Sequence, residues 1–330
     1  MKIKKNIYIG ILFTSILIVI FFREYLYTYR MMLGNFVPYD LYQNQVLYFS
    51  TFNENYKLTL PSAVRIIPIL FYLILYNFAP CIQLTKINPD LSNEFICATN
   101  AVALGNYFIL MTFLVISLFY MIKILKRPKH EAYLALIICY AIIKYLDHFT
   151  IDRFVVLYIL IILFFINNIK ITSLLILISF LVSEKVFFIT GVLFFLRYFC
   201  NREKKYLIYL FVSILSCFFY YIFIEISKNY FDFFNFDFQT YQMLRMFYDK
   251  SAISGSLLPL LIALSPYIFW NNEIDKIYKN QRIEFLIPLS LVFFGFLGGI
   301  ENTARYVAHS FPIWLPILTT RINQILKNIK

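Results

Sequence analysis

The stretch SFLVSEKVFFITG, residues 179–191, decides the fold of this chain. It lies in the run 171–196, which is apolar or small almost throughout apart from the adjacent pair Glu184 and Lys185. The run fits either a single helix with the charged pair at its centre or a tight hairpin of two short helices with the pair at the turn. Basic residues stand at both ends of the run, and only a hairpin keeps both groups on the same side of a membrane. Because Lys and Arg concentrate on the cytoplasmic side of membrane proteins, we expect the hairpin.

The composition of the whole chain is that of a membrane protein. Its 330 residues are 61% hydrophobic and only 15% charged, with a mean hydropathy of +0.72, whereas soluble domains carry about 25% charged residues. Apolar stretches of helical length recur along the chain, and the residue alternation of a transmembrane β-barrel is absent. The expected fold class is therefore all-α: a polytopic helical bundle that forms one integral-membrane domain over residues 1–330. The net charge of +12 indicates an asymmetry across the membrane, and we expect no nucleic-acid partner.

The hydropathy pattern predicts about ten transmembrane helices, with both termini in the cytoplasm. In this arrangement the short cytoplasmic pieces hold 18 of the 30 Lys and Arg, whereas 13 of the 18 Asp and Glu lie on the outer side. This distribution follows the positive-inside rule, and we expect an integral protein of a bacterial inner membrane. The predicted spans are 6–22, 101–122, 132–146, 154–166, 171–183, 186–196, 206–224, 253–270, 285–299 and 306–320.

Two larger loops are expected on the outer side, at 23–100 and 225–252. The first contains an apolar stretch near 64–80, for which we predict a helix lying in or dipping into the outer membrane interface. It also contains Cys81 and Cys97, which could form a disulfide if the loop faces an oxidising compartment. The sequence leaves this disulfide open.

The hairpin places its charged turn inside the membrane. Each arm has at most about 13 residues, which span roughly 20 Å of helix, whereas the hydrocarbon core is about 30 Å thick. The turn therefore needs a thinned membrane or a water-filled cavity open to the outside. Ionisable residues at such depth usually line a substrate or ion path. The alternative is that Glu184 and Lys185 neutralise each other and only mark the turn.

Further charged residues fall on the same outer side. The segment DHFTIDRF, 147–154, leads into the fourth predicted span, and GGIENTARYVAHSFP, 298–312, leads into the last. Each segment also fits an ordinary solvated loop or a structural salt bridge. The candidate catalytic carboxylates are Asp40, Asp152 and Glu184. The candidate substrate- or phosphate-binding residues are Arg65, His148, Arg153, Lys185, Glu301 and Arg305.

This mixture of charges suits group transfer from a phosphate-linked donor. Arg and Lys bind a leaving phosphate and neutralise its charge, and a carboxylate can accept the proton of an attacking hydroxyl group. The apolar tail of a lipid-linked donor would lie between the membrane helices. Aromatic side chains near the outer side offer flat surfaces for sugar rings, although anchoring at the membrane interface explains them as well.

Five short motifs, in order along the chain, resemble the GT-C superfamily of membrane glycosyltransferases. They are PYDLY with Asp40, RIIP at 65–68, TIDRF at 150–154, SEK at 183–185 and ENTARY at 301–306. The resemblance implies a GT-C-like bundle with its site at the outer membrane face. It also implies a polyprenyl-phosphate-linked sugar as donor, a glycan, lipid-linked saccharide or protein as acceptor, and Asp40 as the catalytic base or a metal-side carboxylate. Asp40 stands without a paired D-x-D or E-x-D, so the sequence leaves a divalent cation open.

Two other functions fit the sequence. The stretch YRMMLGNFVPYDLYQNQ, 29–45, is similar to the start of polysaccharide polymerases of the Wzy or EpsG type, which use pyrophosphate-linked oligosaccharides and depend on outer arginines. The second alternative is a transporter or flippase without chemistry, in which the charges line a pathway. Transporters often contain internal repeats, and this sequence shows none.

Overall fold

The computed structural model of the protein describes most of the helical part of the chain. It covers residues 42–51, 59–60, 64–79, 81, 92–129, 152–230, 232–233, 283–284, 286–297 and 307–329, and isolated positions at 18–19, 23, 25, 132–133, 136, 140, 261, 268, 270–272 and 275. Within these residues the protein is mostly helical. The all-α class predicted from the sequence is confirmed for this part of the chain.

The elements are numbered here in chain order. They are α1 (Tyr42–Thr51), β1 (Thr59–Leu60), α2 (Ile66–Phe78), α3 (Asn93–Phe119, continued by the π-helical turn Tyr120–Ile124), α4 (Asp152–Phe164), α5 (Ile169–Leu177, continued by the 3-10 turn Ile178–Leu181), α6 (Glu184–Asn201), α7 (Lys204–Ser227), β2 (Asp232–Phe233), α8 (Leu286–Leu297) and α9 (Phe311–Ile329). The two-residue strands β1 and β2 pair in parallel. This pairing joins the two loops that the sequence analysis assigns to the outer side.

The predicted hairpin is present, and contacts along α7 show its course. Near the start of α7, the Tyr209 hydroxyl donates to the Ile166 carbonyl at 2.8 Å, and the Tyr209 ring lies 4.9 Å from that of Phe194. Further along α7, the Tyr220 hydroxyl lies 3.5 Å from Glu184 Oε2. Both arms of the hairpin therefore pack on α7, in opposite directions, and meet at Glu184. The single-helix arrangement of 171–196 is excluded.

Small residues let the two arms approach α7 closely. Ser179 Oγ lies 3.2 Å from Ser216 Oγ, and a Cβ atom added to Gly191 would lie only 3.3 Å from the Ser213 Cβ. Small side chains at helix contacts are typical of membrane helices, where close backbone packing replaces the hydrophobic effect as the source of association.

A disulfide and a tight helix contact fix α2 along α3. Cys81, just after α2, is bonded to Cys97 near the start of α3, so the disulfide that the sequence left open is formed. Tyr72 in the middle of α2 is fully buried, and it fits because Gly105 has no side chain: a Cβ atom there would lie 2.6 Å from the ring. The helix predicted near 64–80 is thus present, and it runs antiparallel to α3.

The helix α3 begins earlier than the predicted span, which starts at residue 101. Its first residue is Asn93, and Ser92 caps it by accepting a hydrogen bond from the Phe95 backbone N–H at 3.2 Å. Glu94 lies in the first turn, where the helix dipole favours a negative charge. The polar start lowers the local hydropathy, so hydropathy alone does not detect these two turns.

Two of the described helices are long and apolar enough to cross a membrane: α3 with its continuation to Ile124, and α7. Most of the α7 surface is exposed, and large apolar residues recur along it every three or four positions, among them Leu207, Phe211, Ile214 and Phe218. Such a spacing forms one continuous apolar face on a helix. The predicted spans 6–22, 132–146 and 253–270 lie outside the described residues apart from isolated positions.

Candidate functional site

The hairpin turn brings two ion pairs together. Arg65 Nη2 donates to Glu184 Oε1 at 2.8 Å, and Lys185 Nζ donates to Asp152 Oδ1 at 2.9 Å. Ser183 stabilises the turn, because its hydroxyl caps α6 by accepting a hydrogen bond from the Lys185 backbone N–H at 3.3 Å. Glu184 and Lys185 therefore do not simply neutralise each other: each one pairs with a residue from a different part of the chain.

Asp152 has a second partner in a fully buried position. His309 Nε2 lies 2.9 Å from the same oxygen, Asp152 Oδ1, and both side chains are inaccessible to solvent. Asp152 is the first residue of α4, where the helix dipole favours a carboxylate. One carboxylate thus joins the hairpin turn to the segment that leads into α9. We call the set Arg65, Asp152, Glu184, Lys185 and His309 the charged cluster.

Two tyrosines lie next to the Arg65–Glu184 pair of the charged cluster. Tyr42, the first residue of α1, lies beside the Arg65 guanidinium, and Tyr220 lies 3.5 Å from Glu184. Burial raises the pKa of Tyr42 to about 12, although the positive charge of Arg65 acts in the opposite direction. The Tyr42 hydroxyl is therefore protonated at neutral pH and can donate a hydrogen bond.

An aromatic layer holds α1, α2 and α4 together next to the charged cluster. The Tyr72 ring lies 5.1 Å from that of Tyr42 and 6.0 Å from that of Phe154. These tilted and edge-on contacts are favourable geometries for aromatic pairs. They fix Arg65, which immediately precedes α2, and Asp152, which begins α4, relative to each other.

The charged cluster has an accessible side and a buried side. The Glu184 side chain is 31% exposed, whereas Asp152 and His309 are at 0%. The Arg65–Glu184 pair is therefore the part that a substrate reaches first. A carboxylate there can accept a proton from a hydroxyl group, and the guanidinium can hold an oxyanion.

Five of the nine candidate residues lie together in the described part of the chain. Arg65, Asp152, Glu184 and Lys185 are in direct contact as pairs, and Arg153 follows Asp152 in α4, where it is buried. The remaining candidates lie outside the described residues: Asp40, His148, Glu301 and Arg305. Among the described residues, no group of three His, Cys, Asp or Glu side chains has the arrangement to hold a metal ion.

Sequence reasoning missed several members of the site. They are Tyr42, Ser183, Tyr220 and His309. A serine directly before a helix is a recognisable cap signal, so Ser183 was detectable. His309 stands four residues after Arg305, a spacing that would place both on one face of a continuous helix. Tyr42 is the last residue of the PYDLY motif but was not singled out, and nothing distinguishes Tyr220 among the 27 tyrosines of the chain.

A second ion pair lies at the other end of α6. Arg197 donates to Glu284 through two nitrogens, Nε to Oε1 at 2.8 Å and Nη2 to Oε2 at 3.1 Å. Both side chains are largely buried, and the Arg197 guanidinium carbon lies 6.0 Å from the centre of the Tyr206 ring. We call Arg197 and Glu284 the distal pair. Thirteen residues separate Glu184 from Arg197, or about 20 Å of helix.

Comparison with known proteins places no constraint on this site. No protein-family model, no curated protein and no solved structure matches the chain.

Proposed function

We propose that the protein is a membrane glycosyltransferase. In this proposal it moves a sugar from a polyprenyl-phosphate-linked donor to a glycan, lipid or protein acceptor on the extracytoplasmic face of a bacterial inner membrane. The observation that carries the proposal is the convergence of Arg65, Asp152, Glu184 and Lys185, which come from three separate segments of the chain, at a partly exposed turn. Ionisable residues within an apolar membrane bundle are rare and commonly mark a substrate or ion path.

The depth of the charged cluster supports a site inside the membrane. Tyr220, which contacts Glu184, stands 16 residues after the first residue of α7, or about 24 Å along the helix. A hydrocarbon core of about 30 Å would enclose the cluster unless water reaches it from one side. The disulfide between Cys81 and Cys97 favours an oxidising compartment for the loop that contains it. The ten-span topology with the site on the outer side accommodates the depth of the charged cluster, its access to water from one side and the disulfide.

The charge balance supports a phosphodiester donor. The cluster and its neighbour hold three cations, Arg65, Arg153 and Lys185, against the two carboxylates Asp152 and Glu184. These three cationic side chains, gathered among the described residues, suit the negatively charged phosphate of a polyprenyl-phosphate sugar. Arg is well suited to this role because its planar guanidinium binds phosphate oxygens in pairs.

The reaction in this proposal is a direct displacement at the sugar. The acceptor hydroxyl oxygen forms a bond to the anomeric carbon and passes its proton to a carboxylate, for which Glu184 and Asp40 are the candidates. The bond between the anomeric carbon and the phosphate oxygen breaks, and its electron pair leaves with polyprenyl phosphate. The leaving phosphate gains one negative charge, which Arg65 and Lys185 neutralise. No step in this scheme depends on a divalent cation.

The test is transfer by the purified protein in lipid vesicles with a radiolabelled polyprenyl-phosphate sugar. Glu184→Gln keeps the shape of the side chain and removes its charge, and we expect the rate of transfer to fall by about 10²–10⁴-fold, the usual contribution of a general base. The matched control is Glu225→Gln, because Glu225 is an exposed glutamate on α7 that pairs only with Lys228 among the described residues. Full activity of Glu184→Gln, with retained folding, would refute the assignment.

A polysaccharide polymerase is the second candidate, and the two buried arginines next to Asp152 and Glu184 favour it. Arg65 is 12% exposed at its side chain and Arg153 is buried, and polymerases of this type depend on arginines. The same vesicles distinguish the two functions. A polymerase uses a pyrophosphate-linked oligosaccharide and ignores the polyprenyl-phosphate sugar, whereas the glycosyltransferase does the reverse.

The orientation is testable on α7 alone. Glu203 directly precedes its first residue and Glu225 lies near its end, and both side chains are exposed. In a background with Cys139, Cys200 and Cys217 replaced by serine, a membrane-impermeant maleimide added to intact spheroplasts is expected to label Glu225→Cys and to spare Glu203→Cys. The reverse pattern would place the charged cluster nearer the cytoplasm and contradict an extracytoplasmic site.

A further inference from the structure

We infer that the turn between α6 and α7 binds the headgroup of an anionic phospholipid at the membrane surface. The turn consists of residues 202–205, with the sequence Arg-Glu-Lys-Lys, and we call it the basic turn. It lies at the end of α6 that carries the distal pair, away from the charged cluster. The inference goes beyond the proposed function and does not depend on it.

Two cations of the basic turn are available to a ligand. Arg202 and Lys204 are both exposed, and neither forms an ion pair with a carboxylate in the described part of the chain. Lys205, by contrast, is paired with Glu203 at 2.8 Å. Because Arg202 and Lys204 are two residues apart, their Cα atoms are separated by about 7 Å at most. Both side chains are long enough to reach the same phosphate group.

The local backbone disfavours both cations. Arg202, the residue after α6, has a left-handed conformation with a φ of 55°, which glycine adopts without strain and other residues do not. Lys204 is the first residue of α7, where the helix dipole disfavours a positive charge. Residues that break such local preferences are typical of functional sites, and a bound anion would offset the unfavourable position of Lys204.

The apolar face next to Lys204 favours a lipid over a soluble anion. Leu207, Ile208 and Phe211 follow Lys204 by three, four and seven positions, so that all four residues lie on one face of α7. The three apolar side chains are exposed, Phe211 most of all at 66%. A phospholipid fits this arrangement, because its acyl chains cover the apolar residues while its phosphate meets the cation at the end of the face.

Arg202 is placed at the same level by an aromatic side chain. Its guanidinium carbon lies 5.1 Å from the centre of the Phe199 ring, which is itself exposed. This is a favourable cation–π distance, and aromatic residues are common at the level of the lipid headgroups. In the proposed topology the basic turn faces the cytoplasm, where anionic lipids give the membrane a negative surface potential.

The experiment compares two lipids that differ in headgroup charge. Phosphatidylglycerol with a fluorescent acyl chain is titrated into the full-length protein in detergent micelles, and binding is followed by anisotropy. Phosphatidylcholine with the same chains is the neutral reference. We expect the wild-type protein to bind phosphatidylglycerol at least tenfold more tightly. Arg202→Gly and Lys204→Gln should each weaken this binding about fivefold, the usual contribution of one cation at an anionic surface, and leave phosphatidylcholine binding unchanged.

A binding role and a structural role predict opposite effects on stability. Glycine adopts the left-handed conformation without strain, so Arg202→Gly should leave the melting temperature of the lipid-free protein unchanged or raise it. Lys204→Gln should do the same, because it removes a cation from the first turn of a helix. If the two side chains serve the fold, both substitutions lower the melting temperature.

Two control variants test whether the position and the charge matter. Lys228→Gln removes an exposed lysine at the other end of α7, where it pairs with Glu225 at 2.6 Å, and it should keep the full preference for phosphatidylglycerol. Arg202→Lys keeps the charge in the basic turn and should keep most of the affinity.

Several outcomes would overturn the inference. They are equal affinity of the wild-type protein for the two lipids, an unchanged preference in Arg202→Gly and Lys204→Gln, and a lower melting temperature of both variants without lipid. An equal loss of affinity in Lys228→Gln would show a general attraction rather than a site. Displacement of phosphatidylglycerol by millimolar inorganic phosphate would assign the basic turn to a soluble anion, whereas failure of phosphate to compete supports the lipid. None of these results bears on glycosyl transfer, which we assign to the opposite end of α6.

Discussion

The two ends of α6 carry ion pairs of different kinds. In the distal pair, Arg197 and Glu284 meet through two parallel hydrogen bonds, and the pair contains one positive and one negative charge. At the hairpin turn, Glu184 accepts single hydrogen bonds from Arg65, Ser183 and Tyr220, and its side chain remains 31% exposed. The distal pair is closed off from solvent, whereas the charged cluster has exposed carboxylate surface.

This difference separates a structural ion pair from a binding site. A buried pair with two parallel hydrogen bonds satisfies both partners and has no remaining capacity for a ligand. In the charged cluster, the Arg65 guanidinium can hold an anion, and the exposed Glu184 carboxylate can take part in chemistry. The same helix therefore combines an anchor at one end with a candidate reaction site at the other, about 20 Å away.

The largest expected effect on stability comes from breaking the distal pair. Glu284→Gln leaves the Arg197 charge buried without a counter-ion, and we expect the free energy of unfolding to fall by about 3–5 kcal/mol. Glu184→Gln should lower it by less than Glu284→Gln does, because the Glu184 side chain is 31% exposed whereas that of Glu284 is 3% exposed. Unfolding in detergent mixtures, followed by the fluorescence of the buried Trp314, measures both.

A double substitution sharpens the same comparison. Replacing both members of the distal pair, as Arg197→Met with Glu284→Leu, removes the unpaired charge and should restore most of the stability. Similar losses of stability for Glu284→Gln and Glu184→Gln would show that the ion pairs at the two ends of α6 stabilise the fold equally.

Part of the helical arrangement was predictable because charge and hydropathy are properties of short stretches of sequence and need no knowledge of distant contacts. The hairpin followed from basic residues at both ends of 171–196 and from Glu184 and Lys185 at its centre, and contacts along α7 confirm it. The start of α3 was not predictable from hydropathy, since its first turns are polar and its cap, Ser92, is a single residue. The packing of α2 along α3 depends on Gly105, whose role appears only when Tyr72 is known to lie against it.

The charged cluster was predictable in part for a similar reason. Charges inside an apolar chain are conspicuous, so Arg65, Asp152, Glu184 and Lys185 were identified from the sequence alone. Their pairing was not, because which carboxylate meets which cation depends on helix positions that are fixed by long-range packing. The uncharged partner Tyr220 carries no sequence signal because tyrosine is common throughout this chain, and Tyr42 belongs to the PYDLY motif, in which only Asp40 stood out.

A smaller and more selective effect comes from exchanging arginine for lysine at each end. Lysine cannot form two parallel hydrogen bonds to a carboxylate, so Arg197→Lys should lower the free energy of unfolding by roughly 1–2 kcal/mol and leave the transfer rate unchanged. Arg65→Lys keeps the ion pair with Glu184 but removes the planar guanidinium, which binds phosphate oxygens in pairs. It should therefore lower kcat/KM about tenfold, equivalent to about 1.4 kcal/mol of lost transition-state binding, with little change in stability.

The measurements are unfolding in detergent mixtures and transfer from the lipid-linked donor, made on both variants. If Arg65→Lys is less stable but equally active, the Arg65–Glu184 pair is structural, and the contrast between the two ends of α6 disappears.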